Sequence, residues 1–203
     1  MLRRGLLFGL MGAVGLGVVG CSSSTPLGAA MTTTPDSGIE GGTDVAIVVQ
    51  DYSVGLSQLH PASAALQLSV TASPELGERI LTVKYPAATS DAAARDMNCD
   101  AINQEWSSGS AITFQIKPAL DLDFSLSFLD RNGVAYTSYM SLHGGVWQAM
   151  RVGFADIEPN AYFQPPGAPK PAPKIDVSRV TGIGFAPQDM GEGSYAVGEF
   201  VVR

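Results

Sequence analysis

Few side chains in this sequence are placed for covalent or acid–base chemistry. Asp121 and Asp123 would point to the same side of an extended segment, and Asp96 and Asp100 lie close in sequence. Cleaving a glycosidic bond takes two acids about 5–10 Å apart, yet such pairs are more often turn residues or solvated acids. The two histidines are far apart: His60 precedes Pro61 in a loop, and His143 stands beside Gly144 and Gly145 at a strand end. Serines are plentiful and nothing nominates one for a Ser-His-Asp site. The sequence has no Walker-type loop, HExxH, CxxC or GxSxG pattern. Gly15-Leu16-Gly17-Val18-Val19-Gly20 matches GxGxxG, but lacks the preceding strand and following helix that let such glycines hold a pyrophosphate. Catalysis is the weaker expectation.

Residues suited to non-covalent contact are better grouped. In the candidate strand Val134–Leu142, Tyr136 shares a face with Ser138, Met140 and Leu142. Tyr139 shares the other with Ala135, Thr137, Ser141 and His143, and that set is the more polar. A tyrosine beside a threonine and a histidine can stack on a flat apolar face and hydrogen-bond hydroxyls, as a sugar requires. An ordinary half-buried tyrosine is the competing reading. Arg131 lies in the adjoining hairpin. Arg151 lies across from Tyr139 if Trp147–Phe154 pairs with this strand. Tyr162 and Phe163 fall in a long loop that can close over one end.

The elements that must position these residues are strands. Ile112, Phe114 and Ile116 alternate with Thr113, Gln115 and Lys117, the period of two that marks a strand with one face buried. Phe124–Leu129 leads through Asp130-Arg131-Asn132-Gly133 into Val134–Leu142, and Asn-Gly accepts the positive φ of a tight hairpin. Trp147–Phe154 closes this central run. Further candidates are Val45–Val49, Ala65–Thr71, Arg79–Tyr85, Arg179–Phe185 and Tyr195–Val202. Ser90–Asp96 reads as a short helix or an irregular crossing. Ala155–Ile175 holds six prolines and reads as a long loop, because proline has no ladder donor. About nine or ten strands with few helices predict an all-β, two-sheet antiparallel sandwich.

The first 43 residues are of another kind. Arg3 and Arg4 precede an uncharged run from Gly5 to Val19, too short to span a bilayer, and the pattern suits a removable signal. Val18-Val19-Gly20-Cys21 resembles a bacterial lipobox, which predicts lipid on Cys21 and attachment to the cell envelope, at the outer membrane where the host has two. Residues 21–43 are rich in Ser, Thr, Gly and Pro and read as a flexible linker, leaving 44–203 as one domain. Removing residues 1–20 takes away two arginines and no acid, so the net charge moves from −7 to −9. Nucleic acid needs clustered Lys and Arg, so it is not an expected partner. No polybasic patch grips anionic lipid, so attachment would rest on the lipid chains. With Cys21 lipidated, Cys99 has no disulfide partner and reads as a small packed residue.

Several of these segments together resemble the galactose-binding-type jelly rolls of family-11-type carbohydrate-binding modules and the related complex-I intermediate-associated domain. They are Glu105-Trp106-Ser107 leading into Ile112–Lys117, the Leu129–Gly133 hairpin, Trp147–Phe154, Asp176–Phe185 and Gly198–Val202. The resemblance covers roughly Val45 to Arg203. It implies a jelly-roll fold and sugar binding without cleavage, at Tyr139, Thr137, His143, Arg131, Arg151 and Tyr162 by the reading above. It also implies a structural calcium shared by Asp51 and Glu199, although Glu stands where Asp is commoner and no dense acidic cluster adjoins Asp51. A protein-interaction or assembly module is the alternative function, and a glycoside-active enzyme the third. The glycan and the oligomeric state are not fixed by the sequence.

Overall fold

The computed structural model describes residues 46–88 and 95–203. The expected signal segment, Cys21, the expected linker and most of the Ser90–Asp96 candidate helix lie outside the described residues.

The described chain is all β, in two antiparallel sheets. The first sheet contains β1 (Ile47–Gln50), β3 (Gln67–Ala72), β4 (Arg79–Tyr85), β6 (Ala111–Pro118), β9 (Gln148–Gly153), β12 (Gly193–Val197) and β13 (Phe200–Val202). The second contains β2 (Leu59–Pro61), β5 (Met97–Asp100), β7 (Leu122–Asp130), β8 (Ala135–Leu142), β10 (Glu158–Pro159) and β11 (Val180–Pro187). Its order is β10-β8-β7-β11-β5-β2. Thirteen strands replace the expected nine or ten. The extra ones are short pieces (β2, β5 and β10) with too few residues to show a period, and the last candidate strand is broken into β12 and β13 at Gly198-Glu199.

Alternation decides which side chains enter the core. In β6, Ile112, Phe114 and Ile116 are buried, and in β7, Phe124, Leu126 and Phe128. Aromatic rings join the sheets: Phe185 lies 5.8 Å from Phe200 and 6.0 Å from Tyr195, and Tyr195 meets Phe124 edge-on at 5.2 Å. Trp106 has no exposed surface, stacks on Phe154 at 6.0 Å, and donates its indole N–H to the Asn103 carbonyl. Truncating any one of these fully buried rings would cost about 3–5 kcal/mol.

The central hairpin turns on Asp130. Its buried carboxylate accepts the backbone N–H groups of Asn132 and Val134 at 2.8 and 2.9 Å, and Gly133 adopts φ 78°. A carboxylate so placed does the work of a turn template. β1 lies against β13 with Ile47 opposite Val202, so the described chain enters and leaves the domain side by side.

Candidate functional site

Tyr139 projects from the outer face of the six-stranded sheet, and the strand register defines what surrounds it. One row across that face runs Thr137, Ser127, Gly184, Asn98, His60, through β8, β7, β11, β5 and β2. A second runs Tyr139, Ser125, Ala186, and a third Ala135, Leu129, Gly182, Asp100. In β11 every outward position is small, because Gly182, Gly184 and Ala186 alternate with the core residues Ile183 and Phe185. Small side chains between larger ones make a trough. Three strand spacings separate β8 from β5, so its walls stand about 14 Å apart.

One wall carries Tyr139, 54 % exposed, and Tyr162, 71 % exposed, delivered by the loop after β10. Burial pushes the Tyr139 phenol upward, and the neighbouring Tyr162 phenol adds to it. Thr137 lies beneath, only 5 % exposed, since its hydroxyl is 3.3 Å from Ser127 Oγ and accepts the Asn160 amide. The opposite wall is polar: His60 Nε2 stands 3.0 Å from Asp100 Oδ2, and Asn98 leans over Gly184. A methyl group on Gly184 would come within 2.6 Å of Asn98 Oδ1, so a larger residue there would push the Asn98 side chain aside. Gln50, buried in the other sheet, donates to the Asp100 carbonyl at 3.1 Å and holds this wall to the sandwich. Ser125 donates to the Ala186 carbonyl at 3.4 Å and accepts the Gln188 amide at 2.9 Å. Ser125 and Ala186 are buried, so the open part of the uncharged floor is Ser127, Gly182 and Gly184.

Of the six residues read from the sequence as one surface, the structure brings together Tyr139, Thr137 and Tyr162. His143 stands past the end of β8, with its side chain 4.0 Å from Asp121. Arg131 lies at the other end of the strand, in the hairpin, where it pairs with Asp176 at 3.4 Å. Arg151 is on the far side of the sandwich: β9 pairs with β6 rather than β8, which sets Arg151 opposite Thr113 and beside Ser110. The expectation of direct pairing between β8 and the Trp147–Phe154 segment fails because the loop between them crosses from one sheet to the other. Asn98, Asp100, His60 and the small residues of β11 were missed. The signal available for the last was Gly182-Ile183-Gly184-Phe185, in which the period of two is written as small against large.

The two acids proposed for calcium are neighbours by register, since Gln50 opposite Phe200 places Asp51 beside Glu199. Among the described residues no three His, Cys, Asp or Glu side chains converge. Arg79 Nη1 donates instead to the Tyr52 and Ser53 carbonyls, each at 3.4 Å, where a calcium would need oxygen ligands left free. Tyr52 itself takes φ 56°, an uncommon conformation for a non-glycine residue.

No protein-family model matches the sequence, and no curated protein matches it. Solved structures do resemble the fold. A family 11 carbohydrate-binding module from Clostridium thermocellum, solved in complex with a β-1,3-1,4-mixed-linked tetrasaccharide, superposes with a TM-score of 0.62 at 15 % identity, covering 77 % of this chain and 94 % of that one. The family 11 module of a Clostridium thermocellum cellulosomal cellulase gives 0.62 at 16 % identity, with 78 % and 94 % covered. An exo-β-agarase gives 0.54 at 11 % identity, with 77 % of this chain laid on 25 % of the enzyme. The chain has the two-sheet jelly roll of carbohydrate-binding modules.

Proposed function

We propose that this chain is a lipid-anchored, non-catalytic glycan-binding protein of the bacterial cell envelope. The observation that carries the reading is the trough, in which two exposed tyrosines face a polar wall across a floor of glycine, alanine and serine. An extended oligosaccharide presents apolar CH faces and a rim of hydroxyls, and such a trough offers a partner for each. The floor has no charge to neutralise, so the ligand is a neutral glycan. The likeness to a module solved with a mixed-linked tetrasaccharide supports this choice and supplies a probe. Attachment through Cys21 would hold the domain at the membrane.

The test is calorimetric titration of the protein with the mixed-linked tetrasaccharide, alongside a glycan array. Binding in the micromolar-to-millimolar range is expected, because each exposed hydroxyl gains only about 1 kcal/mol on exchanging water for protein. Tyr139→Ala should weaken it about tenfold or more at an unchanged melting temperature. A silent array, or a Tyr139→Ala variant that binds as well as the parent, refutes the assignment. Intact-mass analysis tests the anchor: an unmodified Cys21 on a retained leader would overturn it.

A further inference from the structure

A second concavity lies on the other sheet of the sandwich, away from the trough. It is a pocket of about 400 Å³ over the outer face of the seven-stranded sheet, within the range of small-ligand sites. Its floor follows one ladder row, Lys117, Ala196, Thr82, together with Ile80 and Ser194. One wall is Trp147. The other is the β3–β4 turn, Ser73 to Glu75, which reaches back over the strands.

The two walls are fastened together. Trp147 donates its indole N–H to Glu75 Oε2 at 2.5 Å, although the residues lie 72 positions apart. Lys117 Nζ stands 3.7 Å from the same carboxylate oxygen and 5.9 Å from the centre of the indole ring. The tryptophan is thus fixed by a charge-assisted hydrogen bond and a cation–π contact. Its loop is fixed too, because Gly145 donates to the Pro118 carbonyl at 2.7 Å. Fastening a large aromatic at the lip of an open pocket keeps a flat apolar surface available without any loss of side-chain freedom on binding.

We propose that this pocket is a second saccharide site, taking one pyranose ring of a neutral glycan. The ring's CH face would lie on Trp147, Ile80 and Ala196. Its hydroxyls would be met by the carboxylate of Glu75, the ammonium of Lys117 and the hydroxyls of Thr82 and Ser194. Glu75 and Lys117 already balance one another, so a neutral ligand adds no uncompensated charge, whereas an anionic or cationic one would have to break the pair. The site is independent of the trough: it shares no residue with it and occupies the other sheet.

Trp147 is its own reporter. The sequence holds two tryptophans, and the second, Trp106, has no exposed surface. The full chain would be titrated with methyl β-glucoside, methyl β-galactoside and the mixed-linked tetrasaccharide through the millimolar range, following tryptophan emission. A saturable change with at least one of them is expected. It should persist in Tyr139→Ala, which disables the trough. It should weaken about tenfold in Ala196→Leu, which fills the floor, and in Lys117→Met, which keeps the stem and removes the donor. Melting curves confirm which variants are folded, and the half-buried Lys117→Met serves if Ala196→Leu is not. No saturable change with any of the three sugars overturns the proposal. So does a change that disappears in Tyr139→Ala, or one that is undiminished in the folded pocket variants.

Discussion

Asn160 donates its side-chain amide to the Thr137 hydroxyl at 2.9 Å, and so ties the proline-rich loop to the strand that carries Tyr139. Its side-chain oxygen Oδ1 accepts the backbone N–H groups of Tyr162 and Phe163 at 2.9 and 3.0 Å. One side chain therefore sets both tyrosines of the trough wall. Asn160→Ala should cost roughly 1–3 kcal/mol of stability for three lost hydrogen bonds. It should also weaken glycan binding more than Thr137→Val, which leaves the two backbone contacts in place. Denaturant unfolding and calorimetry on both variants measure the comparison. Equal binding losses would show that Tyr162 is not positioned through Asn160.

Glu78 is a carboxylate held in the wrong medium. Burial pushes its pKa up and the nearby Glu199 pushes it further, against a backbone hydrogen bond from Glu199 that pulls it down. A folded-state pKa above the unfolded one means that the native chain binds more protons between the two values. Stability from this group therefore falls as pH rises through that window and stays low above it. Glu78→Gln keeps an oxygen to accept the Glu199 N–H and has no charge to desolvate. The variant should melt above the parent at pH 7, with the gap closing as pH falls toward the ordinary glutamate range. A gap that is independent of pH would contradict the assignment.

Arg79 occupies the oxygen set near Asp51 and Glu199, and this makes calcium dependence separable by mutation. In Arg79→Gln the Tyr52 and Ser53 carbonyls lose their cationic partner. Millimolar calcium should raise the melting temperature of that variant relative to chelator, and leave the parent unchanged. A rise in the parent would show that an ion binds beside the guanidinium. No rise in either chain would remove calcium from this corner of the fold.

Cys99 is 2 % exposed, and burial pushes its thiol up to about 12. At neutral pH it is neither ionised nor reachable, which leaves it inert to alkylation while the domain is folded. In a chain carrying Cys21→Ser, iodoacetamide labelling of Cys99 should follow the unfolding transition and be negligible before it. Rapid labelling under native conditions would mean that β5 opens locally.

The sandwich was legible because its long strands state their period plainly. Ile112-Thr113-Phe114-Gln115-Ile116 and the Asp130–Gly133 turn need only sterics and alternation to be read, and Tyr139 was placed on the outer face by the same rule. The trough was harder, because a row such as Thr137, Ser127, Gly184, Asn98, His60 draws one residue from each of five strands. Which strands are neighbours is set by the packing of the whole core, and no local pattern records it. The displacement of Arg151 has the same origin. β2 and β5, which supply the polar wall, are three and four residues long, below the length at which a period can be distinguished from chance.

The pairing of Ile47 with Val202 also has a mechanical consequence. Force applied between the two ends of the described chain pulls neighbouring antiparallel strands apart at the point where they begin. The hydrogen bonds of β1 and β13 would then break one after another, as a zipper opens, and never share the load. A pull transmitted from the N-terminal side to a ligand held in the trough follows another route, through Gln50 and its bond to the Asp100 carbonyl into β5. The domain should therefore yield easily when stretched end to end and resist better when loaded through a bound ligand.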